Sequence, residues 1–458
     1  MKVHDRFRMM PQAEHAPERH DMIVFLERFL FFAVIILKAD VFLLERGQMI
    51  GFDAQSFIQT VDYIIAQGTV PPISLNASAM HPPLSFLLTV AIAFPLQNIV
   101  VASQVVSSLS MLVVFLCLRF LLKHIGLLWS IPGFLLLYLT SALPMVIFLG
   151  TETTYDSLVF AWAMLALLAS VQLFWNPLEE ENSFRRISSA ILLVLSISGG
   201  MLTKSTGLLF AAFPFCVLLS RSRRDNLSRD VRTAIFLCTT ALVLVFPSYY
   251  QRYYRETGKL LPHAMEWNIP GELAEERAER DAHPFSVLWQ ILHVPASALQ
   301  WNRAHPEYSS FPDTVWLQTW KRDTYNVLAG PVSLFAREVS NFYIFFFSIP
   351  LFAGTALFLF KRNINSTLRE LGLLLFLTTI LFSLSCIAFG YHYPVWSYVV
   401  FKTKYVPLVV LWFPFCTAYC ADLLLAGAHT HPRTYRAMQY ASISFTVVFV
   451  FVNHLLIY

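Results

Sequence analysis

Charge is scarce in this sequence. Asp, Glu, Lys and Arg make up 14% of the 458 residues, against about 25% in soluble domains. So few charges cannot cover a water-facing surface. Recognisable chemistry motifs are missing too. No Walker loop, GxGxxG or HExxH occurs, and the thirteen histidines show no metal-ligand spacing. His429 and His431 read as cytoplasmic linker residues. There is no internal repeat and no low-complexity tract. The six cysteines, Cys117, Cys216, Cys238, Cys386, Cys416 and Cys420, all fall in apolar runs, so no disulfide framework is expected. Cys416 and Cys420 share a helix face and read as packing residues. No cleavable signal is evident, and residues 1–21 read as a polar cytoplasmic tail.

What is present is apolar. Hydrophobic residues make up 56% of the chain, and mean hydropathy is +0.57. Runs of about 20 apolar residues recur from end to end, the length a membrane helix needs. Alternating ten-residue strands, the mark of a barrel, are absent. The fold class expected is therefore all-α, a polytopic transmembrane helix bundle of about 11 spans with outer juxtamembrane helices. The spans read as 22–44, 98–122, 127–149, 157–175, 187–203, 205–220, 233–250, 341–360, 371–389, 406–427 and 438–457.

The net charge of +4 is small and carries no nucleic-acid signal, but its placement orients the bundle. Basic clusters at Arg6/Arg8/Arg19, Arg119/Lys123, Arg185/Arg186, Arg221–Arg232, Lys361/Arg362/Arg369 and Arg433/Arg436 define one side as cytoplasmic. The stretch 187–220 has basic flanks on both sides, so it reads as two short spans turning at Lys204. The segment 81–96 offers about 14 apolar residues, short for a span and suited to an interfacial or re-entrant helix. Asp53 and Asp156 then share the outer face. Residues 22–250 read as an N-terminal transmembrane module, the candidate catalytic one for the residues taken up below, with its first outer loop at 45–97. Residues 251–340 form a large outer loop, partly interfacial, holding Trp267, Trp289, Trp301, Trp316 and Trp320. Residues 341–458 form a C-terminal transmembrane module.

Four features could carry chemistry. GFDAQSFIQTVDYIIAQGTVPP (51–72) reads as an amphipathic helix along the membrane with Asp53 at its start, either a proton acceptor or an N-cap; Asp62 reads as solvated. GTETTYDSLVF (150–160) sets Glu152 and Asp156 before a span, where Asp156 also suits a cap. In GGMLTKSTGLLF (199–210), Lys204 lies within apolar surroundings, where an ammonium needs an anionic partner or must snorkel to the interface. In GYHYPVWSYVVFKTKYVPL (390–408), His392, Lys402 and Lys404 fall on the outer side, against the positive-inside bias. A phosphate group is one explanation, and an interfacial anchor is the other. Arg303 and Arg337 are weaker candidates of the same type.

In this order, these features resemble the GT-C superfamily of membrane glycosyltransferases, in its branch of dolichyl-phosphate-mannose protein mannosyltransferases and bacterial aminoarabinose transferases. The resemblance rests on Asp53, Gly68, His81-Pro82-Pro83-Leu84, Asp156 in TYDSLVF, Leu202-Thr203-Lys204 and Lys404-Tyr405-Val406-Pro407-Leu408. It spans roughly 20–220 and 390–415. The family's first motif is often Asp-Glu, whereas Ala54 follows Asp53 here.

The resemblance implies inverting transfer of a sugar from a polyprenyl-phosphate donor to an acceptor hydroxyl at the outer, periplasmic or lumenal, face. Asp53 would be the general base, and Asp156 would orient its neighbourhood or the acceptor. Lys204, Lys404 and Lys402 would bind the departing phosphate. Glu152, His81, His392 and Tyr405 would line the substrate. No motif fixes a cofactor, and a divalent metal is compatible with the acids. The expected partners are the lipid-linked donor, an acceptor glycan, lipid or protein, and membrane lipids. A bacterial inner membrane is the expected location, with endoplasmic reticulum as the alternative, where Asn76-Ala77-Ser78 would be an outer-side glycosylation sequon. The competing readings are a glycan ligase or polymerase with a lipid diphosphate donor, a multi-span transporter, and a lipid-binding non-enzyme.

Overall fold

The computed structural model describes residues 16–51, 53–76, 78–175, 183–221, 226–258, 334–360, 365–392, 407–428 and 430–455, with a few positions between 278 and 288. The described residues are helical almost throughout and include no strand. In chain order the helices are α1 (Ala16–Glu45), α2 (Ala54–Gln67), α3 (Leu84–Leu96), α4 (Ile99–His124), α5 (Ile131–Ser141), α6 (Pro144–Phe148), α7 (Asp156–Phe174), α8 (Ser183–Thr203), α9 (Phe213–Ser220), α10 (Leu227–Val245), α11 (Gln251–Thr257), α12 (Leu334–Phe360), α13 (Ser366–His392), α14 (Trp412–Ala428) and α15 (Pro432–Leu455). Among the described residues seven helical stretches are long and apolar enough to cross a bilayer, from 19 residues (Asp156–Phe174) to 31 (Leu227–Thr257). The protein is an integral, multi-pass membrane protein.

Where the helices depart from the expected spans, sequence chemistry explains it. The run at 127–149 breaks into α5 and α6, because Pro144 opens α6 and holds Leu143 extended, as a proline does to the residue before it. The second arm of the 187–220 hairpin begins as a 3-10 turn, Ser205–Ala212, before α9. The expected span at 233–250 continues instead through a π turn at Phe246–Tyr250, opened by Pro247, into α11. α1 starts at Ala16, inside the expected tail. The segment at 81–96 contains α3, only 13 residues, or about 20 Å of helix, short of a bilayer's roughly 30 Å. Most of the loop expected at 251–340, with its tryptophans and Arg303, lies outside the described residues.

α7 is the central helix, buried along nearly its whole length between α4 and α8. α14 packs on α12 and α5, and α15 on α5, α14 and α1. α2 and α3 lie over one end of this bundle. The apolar face of α2 (Phe57, Val61, Ile64) joins Phe86 of α3 and Tyr155 in a small separate core. At the other end of the same helices two ion pairs are sequestered, Arg119–Glu27 at 2.6 Å and Arg221–Asp230 at 2.7 Å. The Arg119 and Arg221–Arg232 clusters thus stand at the opposite end from Asp53.

Candidate active site

The site begins where α1 ends. Beyond Glu45 the chain turns, and Ile50 meets the loop before α7. Thr153 N–H donates to Ile50 O at 2.7 Å, and Ile50 N–H donates to Thr153 Oγ1 at 3.4 Å. Gly51 follows with φ +120°, and a Cβ there would lie 2.9 Å from both Glu152 Cγ and Thr154 Cγ2. Only glycine tolerates both that backbone and that approach. Two loops far apart in sequence are thereby joined, one entering Asp53 and the other entering Asp156.

Gln104 of α4 clamps the junction from beneath. Its Nε2 donates to Glu45 O and Gln48 O, each at 2.9 Å, and to Thr151 O at 3.2 Å, while its Oε1 accepts from Gly47 N–H at 2.9 Å. One turn on, Ser107 Oγ donates to Glu152 O and Ser108 Oγ to Gly150 O, each at 2.6 Å. The carbonyls at the helix ends are thus satisfied by one polar stripe of α4, as backbone buried in a membrane protein must be.

Asp53 stands at the N-cap of α2, yet its side chain accepts no capping hydrogen bond. Its carbonyl begins the helix by accepting from Phe57 N–H at 2.9 Å. The half-exposed carboxylate therefore has no structural task among the described residues, unlike the usual capping aspartate. Asp62, on the outer face of α2, is exposed as expected.

Asp156 does have a task. Fully buried at the first position of α7, it receives Lys204 Nζ on Oδ1 at 2.8 Å. The Lys204 turn is held by its own backbone: Lys204 N–H donates to Gly200 O, and Gly207 N–H to Lys204 O, each at 2.9 Å. A Cβ on Gly207 would lie 2.1 Å from the Gly200 carbonyl carbon, so the hairpin closes only because both are glycine. The anionic partner that Lys204 requires is, in this structure, a carboxylate of the protein itself.

Tyr155 links these parts. The Lys204 ammonium lies 4.8 Å from its ring centroid, within cation–π range. The His81 ring is 4.3 Å from it and the Phe57 ring 6.3 Å. Two adjacent tyrosines of the π turn brace the surroundings. Tyr249 OH donates to Met80 O, beside His81, and Tyr250 OH donates to Met201 O at 3.2 Å. Glu152 is fully buried behind Gly51.

His81, Asp156 and Lys204 thus converge on Tyr155, with Asp53 tied in through Gly51. His392 ends α13, whose Cys386 lies within electrostatic range of Lys204; the His392 side chain, and Lys402, Lys404 and Tyr405, lie outside the described residues, as does the Arg337 side chain. Among the described residues no group of three or more His, Cys, Asp or Glu side chains is arranged to hold a metal ion. Sequence reading missed Gln104, Tyr155, Tyr249 and Tyr250. Gln104 had a signal: with Ser107 and Ser108 it forms a polar stripe at helical spacing in an otherwise apolar run.

No protein-family profile matches the chain, and no curated protein matches it in sequence. Solved structures do. The chain is similar to the oligosaccharyltransferase of Archaeoglobus fulgidus in its apo form, at 12% identity and TM-score 0.53, over 94% of this chain and 54% of that one. It is similar to the oligosaccharyltransferase AglB of the same organism, in complex with an inhibitory peptide and a dolichol-phosphate, at 12% identity and TM-score 0.50, over 94% and 55%. ArnT from Cupriavidus metallidurans is similar at 14% identity over 89% of this chain and 79% of that one, but at TM-score 0.38, too loose to carry weight. This chain spans about half the length of the archaeal enzymes. At such identities the likeness speaks for the fold alone: this chain shares the helical membrane fold of the archaeal oligosaccharyltransferase.

Proposed function

We propose that this protein is a membrane glycosyltransferase that moves a sugar from a polyprenyl-phosphate donor to an acceptor hydroxyl at the end of the bundle carrying Asp53. One observation carries the reading. A carboxylate with no structural role, Asp53, is stapled through Gly51 and Thr153 to the loop that presents Asp156 and its Lys204.

In this reading Asp53 accepts the proton of the acceptor hydroxyl as its oxygen attacks the anomeric carbon. The bond from that carbon to the phosphate oxygen breaks, the electron pair leaves with the phosphate, and the configuration inverts. An ammonium already held in place stabilises the departing charge without reorganising, and Asp156 holds Lys204 in that manner. Lys402 and Lys404 would add donors to the phosphate, and His81, Glu152, His392 and Tyr405 would line the sugar or acceptor. A divalent metal, if bound, would act at the acids by polarising substrate oxygens. The bundle end bearing Asp53 is the periplasmic or lumenal one, because the basic clusters stand at the other end, and a bacterial inner membrane is the setting that suits it best.

The test is sugar release by the purified full-length protein in lipid nanodiscs, against a panel of radiolabelled polyprenyl-phosphate sugars. Release from one donor class supports the proposal and names the sugar. Binding of the lipids without release from any of them points to a lipid-binding protein or a transporter instead.

A further inference from the structure

Two carbonyls beside the candidate site cannot be satisfied by their own segments. His81 follows a 3-10 turn, Ser78–Met80, in which Ala79 N–H donates to Asn76 O at 3.2 Å and His81 N–H to Ser78 O at 2.9 Å. The next donors in that series would be residues 82 and 83. Both are proline and have no N–H, so Met80 O needs a donor from elsewhere. The Lys204 hairpin poses the same problem. α8 ends at Thr203, and the last four carbonyls of a helix have no partner within it. Lys204 N–H takes Gly200 O, and Met201 O comes next. Met80 and Met201 are both buried, and backbone buried in a membrane bundle must find a partner.

Consecutive tyrosines supply both donors. Tyr249 OH donates to Met80 O, and Tyr250 OH donates to Met201 O at 3.2 Å. Both tyrosines are buried, and their rings meet edge to face, 5.7 Å between centroids at 89°, so each limits the swing of the other. They end the π turn Phe246–Tyr250, in which Gln251 N–H reaches back five residues to Phe246 O. Pro247 starts the widening, since it has no N–H for an α-helical bond, and such turns inside helices are frequent at functional sites. Just beyond, Arg252 Nη2 donates to Pro71 O at 3.3 Å. One short stretch of helix thus holds the first outer loop, the His81 turn and the Lys204 hairpin.

We propose that Tyr249 and Tyr250 are positioning residues for sugar transfer, which fix the separation between the His81 turn and the Lys204 hairpin. The proposal rests on the glycosyltransferase reading and adds to it two residues that act through others. Tyr249 acts through Met80, the residue before His81, and Tyr250 acts through Met201, one helical turn before Lys204. His81 and Lys204 face the same Tyr155 ring, at 4.3 and 4.8 Å, so a shift of either element changes how the two approach across it. A misplacement of about 1 Å near the reacting atoms costs up to about a hundredfold in rate. Affinity for a polyprenyl lipid is spread along its apolar tail and does not depend on one carbonyl.

Tyr249→Phe and Tyr250→Phe keep the rings and remove only the hydroxyls. The full-length protein in lipid nanodiscs is measured for kcat and donor KM with the donor that wild type uses, each variant alone and combined with His81→Ala or Lys204→Arg. The expected result is a kcat roughly ten- to hundredfold lower in each, with donor KM unchanged. Tyr249→Phe should lose less when His81 is already replaced and its full factor when Lys204 is, and Tyr250→Phe the reverse, because residues that act together are not additive. Amide exchange should quicken over 78–81 in Tyr249→Phe and over 201–207 in Tyr250→Phe while α7 exchanges as in wild type, which excludes general unfolding. Wild-type kcat in both phenylalanine variants, or losses that add in all four combinations, would overturn the proposal. A wild type that releases sugar from no donor would instead contradict the glycosyltransferase reading, and this proposal would fall with it.

Discussion

Lys204 and Asp156 meet at 2.8 Å in the interior of the bundle, 48 residues apart in sequence. The contact joins the hairpin between α8 and α9 to the first residue of α7. Removing either partner breaks a buried ion pair, which in general costs up to roughly 3–5 kcal/mol. Asp156→Asn and Lys204→Met should each lower the thermal midpoint measurably in detergent. The double variant Asp156→Leu/Lys204→Met should recover part of that loss, because both charges of this contact are removed together, yet should not recover sugar transfer. Full transfer by the double variant would show that the pair serves packing alone.

Gln104 makes a different prediction, because it bears no charge. Gln104→Leu withdraws the donor from the carbonyls of Glu45, Gln48 and Thr151 together; Glu45 O keeps Gln48 N–H at 3.1 Å and Gln48 is exposed, so the main loss is at the buried Thr151 carbonyl, about 1–3 kcal/mol if it is left unsatisfied. Gln104→Glu should be worse, since it turns the donating Nε2 into an oxygen facing the same carbonyls. The expected outcome is a transfer rate at least tenfold below wild type for both, with donor lipid still bound. Comparing donor KM with kcat checks this, the loss falling on kcat.

Two glycines of the first loop should respond very unequally to alanine. At Gly51, φ is +120° and the new Cβ would meet Glu152 and Thr154 at 2.9 Å, whereas at Gly68, φ is +68° with nothing within 4 Å. Gly68→Ala should cost only about 1 kcal/mol, the left-handed backbone strain. Gly51→Ala should part the two loops and abolish transfer while the spans stay folded. Hydrogen exchange over 45–57 and 150–156 would report the separation.

The sequon at Asn76 should stay bare. Its Nδ2 donates to Ser56 O at 3.2 Å, its Oδ1 accepts from Thr60 Oγ1 at 3.1 Å and Ala79 N–H at 2.9 Å, and Ser78 is buried against Ser56 at 2.7 Å. Expression in a eukaryotic secretory membrane should yield no glycan mass on the folded protein. A glycan at Asn76 would mean that this turn is open when the chain is made.

Much of the fold was readable because the bilayer constrains it: apolar run length and basic flanks locate helices without any knowledge of packing. The failures are local. Pro144 and Pro247 interrupt or continue helices according to what packs beside them, which a run of apolar residues does not reveal. Within the candidate site, Asp53, His81, Asp156 and Lys204 stand out as polar residues in apolar company. Their relations did not. Lys204 called for an anion, and only three-dimensional proximity shows Asp156 in that place. Tyr155 and Tyr249 look like ordinary membrane-interface aromatics until the ring contact to His81 and the hydrogen bond to Met80 are seen.

The account turns on Asp53, and Asp53→Asn tests it most directly. The substitution keeps the shape of the side chain and removes only its capacity to take a proton, and Asp53 makes no side-chain cap whose loss would disturb α2. Wild type and variant should be compared in one experiment for thermal midpoint, retention of the polyprenyl-phosphate sugar and release of the sugar to acceptor. The prediction is an unchanged midpoint, retained lipid and release reduced by about two to four orders of magnitude, the range of general-base catalysis. Release by Asp53→Asn at the wild-type rate would contradict the assignment.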